Sequence, residues 1–291
     1  MNLVWVPMLA AIAYAASILI AKIGLTRRRI SIRDYIPGIF FFLTFFSIIT
    51  LPKLGHVNYS TLFVQHNLIL VLALIIVATV WNILYYKGLS REKVNTTEGI
   101  IILMPLMTIV LSWLFQPEVF NAKIALSATV ATVLVGWIYR PHKLIQFDLY
   151  TFMLLGAVLL MALENVLAGQ ILQTKAISPA ALYTLRTFLL FVIFYLYYKP
   201  SLLRLRLKST LILALSGLIG TTAMLLRFYG LRDAGITLTA IVLILVPVIV
   251  FSAAIIFLHE KMKPARLAAM VFIGVLIIYA TFTNYSLLSH K

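Results

Sequence analysis

The sequence predicts an all-α integral membrane protein, with ten transmembrane helices arranged as two inverted five-helix repeats, and three observations carry that prediction. The 291-residue chain is 63% hydrophobic and only 11% charged, with a mean hydropathy of +1.07, far from the balance of a soluble globular domain. Cuts at charged and turn-forming clusters leave ten apolar stretches of roughly 17 to 25 residues, each long enough to cross a ~30 Å hydrocarbon core at 1.5 Å per residue. The chain also repeats itself: Gly88-Leu89, Pro105 and Glu118 are answered 142 residues later, without a gap, by Gly230-Leu231, Pro247 and Glu260. The apolar run Ile100 to Phe115 recurs as Val242 to Phe257, so a whole helical unit is duplicated rather than a short motif.

The ten spans fall near 3–25, 35–51, 66–86, 94–115, 121–139, 149–171, 178–198, 209–230, 235–258 and 264–284. Their short connections leave no room for a soluble domain. The first is read as a retained helix, because no basic leader precedes it and no small-residue cleavage site follows. The absence of cysteine removes disulfides, iron–sulfur clusters and thiolate metal sites, and no cofactor is expected. The net charge of +16 is gathered in short clusters at span ends, which makes anionic lipid headgroups the expected partner and not nucleic acid.

Sixteen of the 24 Lys and Arg lie in the loops joining spans 1–2, 3–4, 5–6, 7–8 and 9–10, from Arg27 to Arg266. The other face carries Lys53, Lys123, Lys175, Arg232 and Lys291. By the positive-inside rule both termini are non-cytoplasmic, as in a prokaryotic inner-membrane protein. Copies that begin five helices apart, an odd number, sit upside down relative to one another. The repeat is therefore inverted, with one unit over 1–143 and the other over 144–291.

The doubled pattern of a proline in an apolar helix followed thirteen residues later by a glutamate, Pro105 to Glu118 and Pro247 to Glu260, resembles the drug/metabolite transporter superfamily in its ten-helix EamA-type branch. Ser178-Pro179 leading into span 7 with Arg186 eight residues on is a second match, and the resemblance covers nearly the whole chain. It departs from the pattern in span 2, which has no arginine to answer Arg186, and at Ser127 and Ala269, where relatives often carry glycine. The resemblance implies a secondary carrier of small organic metabolites, with spans 1, 3, 4, 6, 8 and 9 contributing much of a central cavity.

Several residues stand out on their own chemistry. Pro105 and Pro247 each remove a backbone donor mid-span, giving either a fixed bend or a hinge at opposite mouths of a cavity. Glu164 is the most deeply placed acid, and an intramembrane carboxylate is costly unless protonated, paired or wetted. It clamps Arg186 on the antiparallel neighbouring span, meets substrate or coupling proton directly, or occupies a solvated position. Tyr183 stands one turn before Arg186, and a phenol beside a guanidinium suits a carboxylate or phosphate. Tyr14, Trp81 and Tyr85 offer aromatic faces suited to an amine or quaternary ammonium through cation–π attraction. Arg227, near the end of span 8, is expected to snorkel to the headgroups. Glu98, in the first turn of span 4, is favoured by the helix dipole, and Glu118 and Glu260 are expected to pair with nearby cations.

These residues predict substrate contacts at Tyr14, Trp81, Tyr85, Glu164, Tyr183 and Arg186, with movement by alternating access, with or without proton coupling, in a monomer or homodimer. The alternative is a non-transporting membrane scaffold or lipid-binding subunit. Catalysis has little support: His259-Glu260 begins like a zinc-protease helix, but Lys263 stands where the second histidine is needed. Asp34, Asp148 and Asp233 all fall in loops, and no Walker motif is present.

Overall fold

Apolar runs of this length form helices because a backbone in lipid must satisfy its own hydrogen bonds. The structure, a computed structural model, describes residues 5–26, 30–91, 100–101, 103–115, 149–201, 205–246 and 248–250, parts of 126–134, and residues 272 and 275. The expected span at 264–284 lies almost wholly, and that at 121–139 for the most part, outside the described residues. So do Glu98, Glu118, Pro247 and Glu260.

Among the described residues the main helices are α1 (Trp5–Thr26), α2 (Ile32–Leu54), α3 (Gln65–Arg91), α4 (Leu103–Phe115), α5 (Leu149–Gln173), α6 (Pro179–Tyr198), α7 (Leu207–Asp233) and α8 (Ile236–Leu243). No β-strand occurs among them. Five of the helices, α2, α3, α5, α6 and α7, are long and apolar enough to cross a membrane. On α3, Ile69, Leu72, Ile76 and Val80 are exposed at helical spacing while Val71, Leu74, Ile75 and Ala78 are buried. A helix apolar on both its inner and outer faces belongs in lipid. A single helical turn, Tyr59–Leu62, capped by Asn58, sits between α2 and α3 where the sequence predicts only a loop.

Local chemistry sets the ends. Ser31 caps α2 by accepting from the Asp34 amide at 3.2 Å, and Ser178 caps α6 by accepting from the Ala181 amide at 3.2 Å, with Pro179 in the first helical position. Gly235, at φ 85°, turns the chain from α7 into α8 in a conformation that a side chain would strain.

The helices pair in an ordered way: α1 lies along α7, α3 along α5, α2 along α6, and α4 against both α5 and α8. The α2–α6 pair is antiparallel and fastened at both ends. At one end Arg33 donates to the carbonyls of Tyr198 (2.8 Å) and Lys199 (2.8 Å), while Asp34 accepts from the Ser201 amide at 2.9 Å. At the other, the Asn58 amide donates to Ala176 O and the Ser178 amide to His56 O, both at 2.8 Å, flanking an antiparallel bridge between Val57 and Ile177. Two apolar clusters fill the interior. One gathers Tyr35, Phe40, Trp81, Leu154, Met161 and Phe194; the other gathers Leu74, Val166, Ile171, Leu182, Tyr183 and Phe228. On α5 the first ends at Met161 and the second begins at Val166, so Glu164 and Asn165 occupy the seam.

Candidate functional site

The seam is where the polar side chains meet. Glu164 is 1% exposed, and both of its oxygens are engaged: Oε1 accepts from Arg186 Nε in a buried ion pair, and Oε2 accepts from Trp81 Nε1 at 2.7 Å. The Arg186 guanidinium also lies over the Trp81 ring, 5.7 Å from its centroid, so α3, α5 and α6 are joined through one carboxylate. A buried pair of this kind does not add much net stability, because desolvation offsets its Coulomb energy. Removing one partner is costly, however, because it strands the other charge in a low dielectric.

Asn165, one residue on, holds a second arginine. Its Oδ1 accepts from Arg227 Nη2, and its Nδ2 donates to Thr108 Oγ1 at 3.1 Å. Thr108 in turn donates to the Met104 carbonyl at 2.9 Å within α4, and Asn165 thus ties α5 to both α4 and α7. Arg227 is 4% exposed. The expectation that it snorkels to the headgroups is therefore wrong, because its side chain points inward to Asn165 rather than along the helix to the surface. Among the described residues no carboxylate pairs with it, and its Nε has no hydrogen-bond partner.

A cavity of about 620 Å³, its mouth included, opens beside this layer. Both halves of the chain line it: Tyr14 and Ser17 from α1, Trp81, Asn82, Tyr85 and Tyr86 from α3, Tyr183 and Arg186 from α6, and Ser216 and Met224 from α7. Five of the six residues singled out as substrate contacts, Tyr14, Trp81, Tyr85, Tyr183 and Arg186, therefore line one cavity. The sixth, Glu164, does not line the cavity and stands behind Trp81 and Arg186. Trp81 and Tyr85 meet edge to face at 6.1 Å, and Tyr85 and Tyr86 at 5.1 Å. Pro105 is buried near the start of α4, with residues 100 and 101 also helical before it.

Arg227, Asn165, Thr108, Tyr86 and Ser216 are not among the site residues expected from the sequence, which assigns Arg227 to the headgroups. A signal existed for the first: Arg227 lies 142 residues after Tyr85, so the repeat alone places it level with a residue already singled out. The remaining four are common residue types on helices apolar all round, and nothing in their spacing marks them. Among the described residues no group of three or more His, Asp or Glu could hold a metal ion.

Residues 149–282 match the model of the EamA-like transporter family. The fold is also similar to that of a protein of known crystal structure, with a TM-score of 0.69, covering 99% of this chain and 98% of the other at 11% identity. At that identity the likeness concerns the fold alone. No curated protein sequence matches significantly.

Proposed function

We propose that this chain, a member of the drug/metabolite transporter superfamily by its EamA-like match, is a secondary carrier that moves a small polar organic metabolite across the membrane by alternating access. The observation that carries this reading is the cavity, which is walled by both halves and holds a buried cation and several phenols in an otherwise apolar bundle. A scaffold has no use for such a layer, because every polar group placed there costs stability.

The architecture behind the proposal is ten spans in two inverted units, 1–143 and 144–291, with both termini non-cytoplasmic. Helix pairing supports it. Exchanging each span with its counterpart five places on turns the α1–α7 pair into the α5–α3 pair, returns α2–α6 to itself and returns α4–α8 to itself. The matched helices α3 and α7 begin at residues 65 and 207 and end at residues 91 and 233, both differences being 142. An inverted pair can close one mouth as it opens the other. The doubly fastened α2–α6 pair would serve as the axis, with Pro105 and Pro247 as bending points.

Glu164 holds Arg186 and Trp81 in place, and coupling to protons would require its carboxylate to leave them. The test is uptake by proteoliposomes of a panel of amino acids, organic anions and amines, with and without a pH gradient, for wild type and Glu164→Gln. Wild type is expected to accumulate at least one class. Glu164→Gln is expected to retain binding more weakly and to lose any dependence on the gradient. If no solute moves under any gradient, the carrier reading is wrong. A reporter fused to the C-terminus tests the orientation, and cytoplasmic activity would reverse it.

A further inference from the structure

We infer that the cavity receives an organic anion, a carboxylate on an apolar or aromatic body, and not the amine that its aromatic walls first suggest. The inference rests on the carrier reading, since it names the solute class for that same cavity. Three formal charges lie in the buried layer: Glu164, Arg186 and Arg227. One carboxylate against two guanidinium groups leaves a net charge of +1 among the described residues. A cationic solute would raise it to +2 in a low-dielectric interior, whereas a monoanion would cancel it.

The local geometry points the same way. Among the described residues Arg186 spends its hydrogen bonding to Glu164 through Nε, while the residue itself lines the cavity. Its terminal amino groups, the fork suited to a carboxylate, are not engaged by that bond. Tyr183, one turn earlier on α6, is fully buried among the residues that line the cavity, so its ring backs the Arg186 side of it. A carboxylate entering the cavity would meet the Arg186 guanidinium from the side that Glu164 does not occupy. The single acid that would attract an amine, Glu164, has both oxygens taken and stands behind Trp81. Arg227 touches Asn165 and does not line the cavity, so it acts on the solute through its charge.

The test uses the full chain in nanodiscs and two matched probe pairs that differ only in charge, benzoate with benzylamine and 3-phenylpropionate with 3-phenylpropylamine, in calorimetric titrations. At least one carboxylate is expected to bind about tenfold more tightly than its amine, the worth of one favourable charged contact. Arg227→Gln is expected to weaken that carboxylate about tenfold and leave the amine unchanged or tighter, while Arg227→Lys stays within about threefold of wild type. Equal or tighter binding of the amines, or no carboxylate binding at millimolar concentration in wild type, overturns the inference even if every variant misfolds. Liposome uptake separates the two readings. Carboxylates that bind but never cross leave the anion site standing and remove the carrier; amines that cross while carboxylates neither bind nor cross do the reverse.

Discussion

Helices α3 and α7 have the same length and the same register within their repeats, yet they face the centre of the protein with different chemistry. Trp81, Asn82 and Tyr85 on α3 correspond, 142 residues on, to Ala223, Met224 and Arg227 on α7. Gly88 and Gly230 mark the common scaffold: a Cβ on Gly88 would lie 2.6 Å from Leu154 on α5, and one on Gly230 would lie 3.2 Å from Pro7 on α1. Each glycine thus lets its helix close on the first helix of the other half. The scaffold needs a small residue at both positions, so the repeat keeps it. At the buried centre α3 brings aromatic rings and α7 a guanidinium, and there the repeat gives way.

Exchanging residues between the matched positions breaks the comparison most directly. Trp81→Ala, which puts the α7 residue on α3, removes a buried indole and its hydrogen bond to Glu164. It is expected to cost about 3–5 kcal/mol, measured by chemical denaturation in mixed micelles. A loss below about 1 kcal/mol would mean that the indole is not a packed member of the layer. Arg227→Tyr, which puts the α3 residue on α7, leaves the Asn165 oxygen without its arginine donor. The expected loss is about 1–3 kcal/mol, restored in part by adding Asn165→Leu. A single-variant loss that the second change does not relieve would show that Arg227 and Asn165 do not act as a pair.

The glycine pair sharpens the shared part, and its Gly230 member carries the smallest effect. Gly88→Ala is expected to cost about 1–3 kcal/mol through overpacking, because the contact with Leu154 is far inside van der Waals distance. Gly230→Ala, at 3.1 Å from Thr239 and 3.2 Å from Pro7, should cost less. If Gly230→Ala proves the more damaging, the two glycines do not play equivalent parts.

Much of this was legible along the chain. The described helices α1, α2, α3, α5, α6 and α7 fall within a few residues of their expected spans, because a length of apolar sequence is a linear property. Of the three readings the sequence leaves open for Glu164, the ion pair with Arg186 is the one the side chains make. The distance of Arg227 from the helix end predicts a headgroup position, but its rotation about the axis sends it to Asn165. Trp81 was read as an aromatic face for a solute. It does line the cavity, but its ring nitrogen is committed to Glu164.

The sequence by itself determined that the chain lives in lipid, where its helices run, and that a helical unit recurs with an offset of 142. Those properties depend on residue type and spacing alone. Only the tertiary structure decided which side chains share the seam, which carboxylate oxygen meets which donor, and that Glu164 stands behind the cavity wall. On helices apolar around their whole circumference, no periodicity reports which face is turned inward. That choice is made by packing between helices far apart in sequence, and the charge left over at the seam is its consequence.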